Sequence, residues 1–89
     1  MLAAPALAWG CSQAWPEPKQ PMADAEAASR SAQEVGAGAQ PAAKLQAKLA
    51  DEQIAEAKAA IADGDNERAT YLIIRARADA ELALALTRE

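Results

Sequence analysis

A short polar turn between two alanine-rich segments constrains the fold of this chain more than any other feature. Residues 63–67 read Asp-Gly-Asp-Asn-Glu. Gly64 can adopt the left-handed conformation that often ends a helix, and the Asp65 carboxylate can accept hydrogen bonds from the free amides of a following helix. Because so short a connection joins antiparallel neighbours, the sequence predicts a helical hairpin over residues 54–87.

Small and apolar residues recur at spacings of three and four on both sides of this turn, which is typical of helices with one buried face. The first helix of the hairpin is predicted over residues 42–63 and the second over residues 66–87. Alanines on both faces allow the two backbones to approach closely. We therefore expect a seam formed by Ala47, Ala50, Ile54, Ala57 and Ile61 against Ala69, Leu72, Ile73, Ala76, Ala80, Ala83 and Leu84.

A third, shorter helix is predicted before the hairpin, over residues 22–35, and the glycines and proline of residues 36–41 interrupt it. Its apolar stripe is thin and consists of Met22, Ala25, Ala28, Ala32 and Val35. The predicted fold class is all-α: an antiparallel helical hairpin with a short preceding helix, as either a small three-helix bundle or an extended coiled-coil-like hairpin. Alanine supplies most of the 52% hydrophobic residues, so the core should be small.

Several larger apolar residues lie outside the predicted seam. A two-helix hairpin buries one face of each helix, so these residues need another neighbour or remain exposed. The short preceding helix can cover part of them, and a second copy of the chain or a helical protein partner can cover the rest. We define the candidate partner surface as Tyr71, Leu82 and Leu86 on the last helix with Leu45 and Leu49 on the helix before it.

The amino-terminal segment is apolar and carries no charged side chain as far as the only cysteine of the chain. Residues 1–10 read MLAAPALAWG and Cys11 follows. This arrangement resembles the lipobox of bacterial lipoproteins, in which a cysteine becomes the lipidated N-terminus, and the apolar segment is too short to cross a bilayer. We predict a signal or lipobox-like segment at residues 1–11 with lipidation at Cys11. The alternative is a free cysteine in a disordered tail.

A proline-rich segment follows the cysteine. Residues 12–21 contain Pro16, Pro18 and Pro21, which favour extended backbone. They are predicted to form a tether of about 30 Å if fully extended, and residues 22–89 are predicted to form the alanine-rich helical domain. Ser12, directly after the cysteine, resembles the residue found in lipoproteins that are sent to the outer membrane.

Composition argues against several classes of function. The chain contains no histidine, which leaves no Cys/His nucleophile pair and no Cys/His zinc site. The net charge of −4 disfavours binding to nucleic acid, because phosphate recognition needs an excess of basic residues. We therefore expect no enzyme activity, no catalytic residue, no metal site, no cofactor and no small-molecule substrate.

Two segments carry a resemblance to a known family. Residues 57–69 read AKAAIADGDNERA and residues 76–83 read ARADAELA. Together they resemble the bacterial domain-of-unknown-function family 4398, whose members are small alanine-rich helical proteins and typically exported lipoproteins. Some members are fused to, or neighbours of, OmpA-like peptidoglycan-binding domains. The resemblance implies a helical fold and export, and the family has no established catalytic residue to carry over.

These observations lead to two expectations of function. The first is a noncatalytic protein that is anchored by lipid to the periplasmic face of the outer membrane and serves as a structural or interaction module. The second is a small cytoplasmic coiled-coil adaptor that oligomerises, with residues 1–21 disordered. The fate of Cys11 separates these expectations, since only the first requires its lipidation.

Overall fold

A computed structural model describes residues 15–89, and this part of the chain forms three helices. Helix α1 spans Lys19–Glu34, α2 spans Pro41–Ala62 and α3 spans Asn66–Arg88, with a short 3-10 helix at Ala37–Ala39. Helix α2 runs antiparallel to both α1 and α3, and α1 packs more extensively on α3 than on α2. The predicted all-α fold is confirmed, and it takes the form of a three-helix bundle.

The turn between α2 and α3 has the predicted geometry. Gly64 has a φ of 79°, its N–H donates to the Ile61 carbonyl oxygen at 3.0 Å, and the Asp65 N–H donates to the Ala60 carbonyl oxygen at 2.8 Å. This pair of bonds is the Schellman ending of a helix. One carboxylate oxygen of Asp65 accepts from the Arg68 N–H at 3.1 Å and so caps α3. We call this end of the bundle the turn end.

The core consists of two clusters that are dominated by alanine. The cluster at the turn end contains Met22, Ala25, Ile54, Ala57, Ala60, Ala69, Leu72, Ile73 and Ala76. The second cluster, at what we call the open end, contains Ala32, Ala37, Ala43, Ala47 and Ala83. The predicted seam is confirmed, and within it only Ile61 and Leu84 are half-buried rather than buried. Because alanine side chains are short, stability depends on close approach of the helix backbones.

Helix α1 begins three residues earlier than predicted, inside the proline-rich segment. Its first turn contains Pro21, and the Met22 N–H donates to the Pro18 carbonyl oxygen at 3.0 Å. Proline is compatible with this position because the first amides of a helix have no partner within the helix. Pro18 itself is buried against the bundle. The chain is therefore already part of the folded unit before residue 19.

The buried face of α1 also differs from the predicted stripe. It consists of Met22, Ala25, Ser29 and Ala32. Ser29 takes the place predicted for Ala28, and Val35 is 48% exposed at the end of the helix. The next residue, Gly36, has a φ of 94° and ends α1, so Val35 does not continue the helical stripe onto the bundle.

Part of the sequence prediction lies outside the described residues. The signal or lipobox-like segment at residues 1–11, including Cys11, and residues 12–14 of the predicted tether belong to this part. Within residues 15–89, no helix combines the length and apolar character needed to cross a membrane.

Candidate functional sites

Trp15 is held against the turn end by contacts with α3. The Asn66 side-chain Nδ2 donates to the Trp15 carbonyl oxygen at 3.1 Å. The Trp15 ring lies beside the Tyr71 ring with 5.8 Å between their centroids and a tilt of 53°, a favourable aromatic geometry. A cleft of about 230 Å³ remains between Trp15 and the turn, lined also by Gly64, Asp65, Asn66 and Glu67.

This contact determines where the chain enters the folded unit. Trp15, buried Pro18 and the start of α1 all lie at the turn end, where the backbone path is set by the bond from Asn66. Only residues 12–14 separate Trp15 from Cys11. The described chain therefore enters the folded unit at the turn end of the bundle.

A continuous apolar face runs along the outside of α3. Its members are all exposed and recur at helical spacing: Tyr71, Ile74, Ala78, Leu82 and Ala85. The largest of them remain 55% (Tyr71), 59% (Ile74) and 44% (Leu82) exposed. We call these five residues the outer face of α3. Neither α1 nor α2 covers it, because both pack on the opposite side of α3.

The structure separates the residues of the candidate partner surface. Tyr71 and Leu82 share the outer face of α3, whereas Leu86 is half-buried and packs against the alanine cluster of the open end. On α2, Leu49 is half-buried and Leu45 is 54% exposed. Leu49 lies one turn before Gln53, which contacts α3, so Leu49 is on the side of α2 that faces α3.

Two polar pairs connect the helices between the core clusters. The Ser29 hydroxyl of α1 donates to the Asp51 carboxylate of α2, and the Gln53 Nε2 of α2 donates to the Asp79 carboxylate of α3 at 2.6 Å. Gln53 is buried, and its Oε1 has no hydrogen-bond partner. An unpaired buried polar atom is unfavourable, and the hydrogen bond to Asp79 offsets part of this cost.

Exposed ion pairs hold α1 to the other two helices. The Lys58 Nζ of α2 lies 2.9 Å from the Glu26 carboxylate, and the Arg77 guanidinium of α3 lies 3.8 Å from the Asp24 carboxylate. Arg77 also pairs with Glu81 one turn along α3, at 3.2 Å, as helical spacing favours. All of these groups are substantially exposed, so each pair contributes little stability. The Lys58–Glu26 and Arg77–Asp24 pairs mainly orient α1.

One larger groove opens between the end of α1 and α2. Its volume is about 480 Å³, and its walls include Gln33, Gly38, Ala47 and Ala55 together with the side chains of Lys44, Lys48, Asp51 and Glu52. In residues 15–89, no cluster of three or more potential metal ligands is present.

A comparison with family models identifies the family of this chain. The model described as domain of unknown function DUF4398 matches residues 20–89. The chain belongs to the DUF4398 family. The matched region begins within the first turn of α1 and covers all three helices. Comparisons with curated proteins and with solved structures give no match.

Three residues that connect segments of the DUF4398 bundle, Ser29, Gln53 and Trp15, were not predicted from the sequence. Ser29 lies four residues after Ala25 and three before Ala32, so helical spacing alone could have placed it on the buried face of α1. Gln53 lies three residues after Ala50 and four before Ala57, so the same spacing argument applies to it. Trp15 left no comparable signal, because its contact with the turn joins residues 51 positions apart in the chain.

Proposed function

We propose that this DUF4398 protein is a noncatalytic helical module that is anchored to the periplasmic face of the outer membrane by lipid on Cys11. It would serve there as a structural or interaction component. The observation that carries the proposal is the position of Cys11, which follows the apolar residues 1–10 and precedes the folded unit by only a few residues.

The fold is compatible with cleavage before this cysteine. Every helix of the described chain starts at or after Lys19, so removal of residues 1–10 would leave α1, α2, α3 and the Trp15 contact intact. Several acyl chains on one residue anchor a protein stably, whereas a single chain binds reversibly. The bundle would then need no membrane-crossing helix of its own.

The contact at Trp15 also suggests how an anchored bundle would be oriented relative to the membrane. If Cys11 lies in the membrane interface, the three intervening residues can span only about 10–14 Å before Trp15 reaches the turn end. Helix α3 contains 23 residues and extends from there to the open end, a distance of about 35 Å at 1.5 Å per residue. In an upright bundle the turn end would be near the lipid and the open end far from it.

The deciding experiment is intact mass spectrometry of the full-length protein expressed in a Gram-negative bacterium and extracted from its membranes. The expected species lacks residues 1–10 and carries acyl chains on Cys11. Cys11→Ser should remove the protein from the outer-membrane fraction, whereas the matched variant Ser12→Ala should remain there. Ser12→Asp should remain lipidated but move to the inner membrane, which separates anchoring from sorting.

The opposite results would contradict the proposal. A protein that retains Met1 and an unmodified thiol, or a Cys11→Ser variant that fractionates like the wild type, excludes the lipid anchor. If that unmodified protein is also soluble and oligomeric, the result supports the cytoplasmic coiled-coil adaptor instead.

A further inference from the structure

Residues 15–18, which we call the strap, connect the surface of α3 with the start of α1. At one end, the Trp15 carbonyl oxygen accepts from the Asn66 side chain, and the Trp15 ring lies beside the Tyr71 ring. At the other end, Pro18 is buried, and its carbonyl oxygen accepts a hydrogen bond from the first turn of α1. The two residues between these attachments are exposed. The strap is thus fixed at two separate points, of which only the second is buried.

The attachment at Trp15 is weaker than the packing of α1. The Trp15 ring is 42% exposed, it belongs to neither core cluster, and the hydrogen bond from Asn66 lies at the surface. An exposed hydrogen bond is readily replaced by bonds to water, so its loss costs little. Helix α1, by contrast, is held by the buried side chains of Met22, Ala25 and Ala32. Trp15 can therefore leave α3 while α1 stays in place.

Opposing contributions of similar size determine whether the strap is closed. Closure orders the backbone of residues 15–17, which costs conformational entropy. The prolines at positions 16 and 18 reduce this cost, because they restrict the open chain as well. One hydrogen bond and one tilted aromatic pair favour closure. Such a balance favours the closed state only modestly and leaves an open state within thermal reach.

Opening of the strap would change the surface of α3. Tyr71 is the member of the outer face of α3 nearest to the turn end, and its ring is 55% exposed with Trp15 beside it. Departure of Trp15 would uncover the side of this ring that it contacts and would release the Asn66 amide. The apolar face, which continues through Ile74 toward the open end, would then be accessible as far as the turn.

We propose that residues 15–18 are a reversible strap that covers the turn end of the outer face of α3. In the closed state, Trp15 occupies this position. In the open state, Tyr71 and Asn66 are accessible while all three helices remain packed. The strap precedes the region matched by the DUF4398 model, which starts at residue 20. The proposal does not depend on the lipid anchor, because all the contacts that it uses lie within residues 15–71.

The composition of the chain provides a selective probe of the strap. Tyr71 is the only tyrosine, so the full-length protein labelled with fluorinated tyrosine gives a single fluorine NMR signal. The neighbouring indole ring shifts this signal in the closed state. Trp15→Ala, which lacks the ring, gives the position of the signal in the open state. The wild-type signal should lie clearly apart from that position.

Removal of the Asn66 donor should open the strap without weakening the bundle. Asn66→Ala should raise the ratio of open to closed protein about fivefold, because it removes the hydrogen bond to the Trp15 carbonyl oxygen. The Tyr71 signal should then move toward its position in Trp15→Ala. Alanine is the better helix former, so the melting temperature should not fall.

Three controls separate the strap from other effects. In the Trp15→Ala background, Asn66→Ala should leave the Tyr71 signal in place, which excludes a direct effect of position 66 on the ring. Gln33→Ala truncates an exposed amide elsewhere and should not move the signal. Met22→Ala removes a core side chain, and Trp15→Ala should lower the melting temperature by less than about one third of the loss in that variant.

Three results would overturn the proposal. The first is a wild-type Tyr71 signal that coincides with the signal of Trp15→Ala, because the strap would then not close in solution. The second is an Asn66→Ala signal that stays at the wild-type position. The third is a loss of melting temperature in Trp15→Ala as large as that in Met22→Ala, because the strap would then belong to the cooperative core.

Discussion

At the scale of single residues, Gly64 is the clearest case in which the residue type explains the backbone conformation. Its φ of 79° is in the left-handed region, and an added Cβ would meet no atom within 4 Å. Any penalty for a side chain at this position therefore comes from the backbone conformation alone.

We predict that Gly64→Ala lowers the free energy of unfolding by about 1–2 kcal/mol and that Gly64→Val lowers it further, because a β-branched residue is less compatible with positive φ. Gly38→Ala is the control. Gly38 has equally open surroundings without positive φ, so this variant should be neutral or slightly stabilising. Urea denaturation of the three variants checks the prediction, and equal effects at both glycines would contradict it.

The buried Gln53 is the second residue with a testable role. Gln53→Glu places a carboxyl beside the Asp79 carboxylate in a buried position. We expect a loss of about 1–3 kcal/mol at pH 7 from charge repulsion and burial. The exposed change Gln33→Glu is the matched control and should alter stability by less than about 0.5 kcal/mol.

The Gln53→Glu substitution should also make the free energy of unfolding depend on pH. Asp79 and burial should raise the pKa of the introduced carboxyl in the folded state above its value in the unfolded chain. Between these two pKa values the folded state binds more protons, so stability decreases as pH rises and recovers on acidification. Urea midpoints at pH 5 and pH 7, compared with those of the wild type and Gln33→Glu, measure this difference. A midpoint shift that is the same at both pH values would contradict the assigned contact.

At the scale of the helices, the seam between α2 and α3 depends on side-chain size. Ala80 is fully buried and lies between the two core clusters, whereas Ala59 is exposed on the outside of α2. A larger side chain would therefore meet a neighbouring helix at position 80 but solvent at position 59.

We predict that Ala80→Leu destabilises the bundle by about 1–3 kcal/mol, because the larger side chain forces the helices apart. Ala59→Leu should change stability by less than about 0.5 kcal/mol, since leucine is also a good helix former and no helix packs there. Thermal melts followed by circular dichroism provide the measurement. A higher melting temperature for Ala80→Leu than for the wild type would contradict the tight packing of the seam around Ala80.

At the scale of the whole molecule, the entry of the chain at the turn end predicts the orientation of an anchored bundle. If Cys11 is lipidated as proposed, a fluorophore at Asp63→Cys should be quenched strongly by a quencher on lipid headgroups. The same fluorophore at Thr87→Cys, at the open end, should be quenched weakly. Trp15→Ala should reduce this difference, because it removes the aromatic contact that holds the chain at the turn. Equal quenching at both positions in the wild-type background would mean that the bundle lies flat or rotates freely.

The sequence by itself determined the three helices, the turn at Gly64 and Asp65, and the alanine seam. These features depend on contacts between residues a few positions apart, so helical spacing and the preferences of glycine, proline and aspartate reveal them. Tyr71 and Leu82 were found in the same way, as apolar residues that the seam does not use. Ile74, which the structure places on the same outer face, was not part of the predicted partner surface.

Tertiary structure alone decided where α1 packs and where the folded unit begins. The hydrogen bond from Asn66 to Trp15, the pair of Ser29 with Asp51 and the pair of Gln53 with Asp79 each join residues more than 20 positions apart. In an alanine-rich chain many registers of one helix on another bury similar apolar area, so periodicity does not choose among them. We infer that these few polar and aromatic contacts help to select the register, and each forms only when two separate segments of the chain pack against each other.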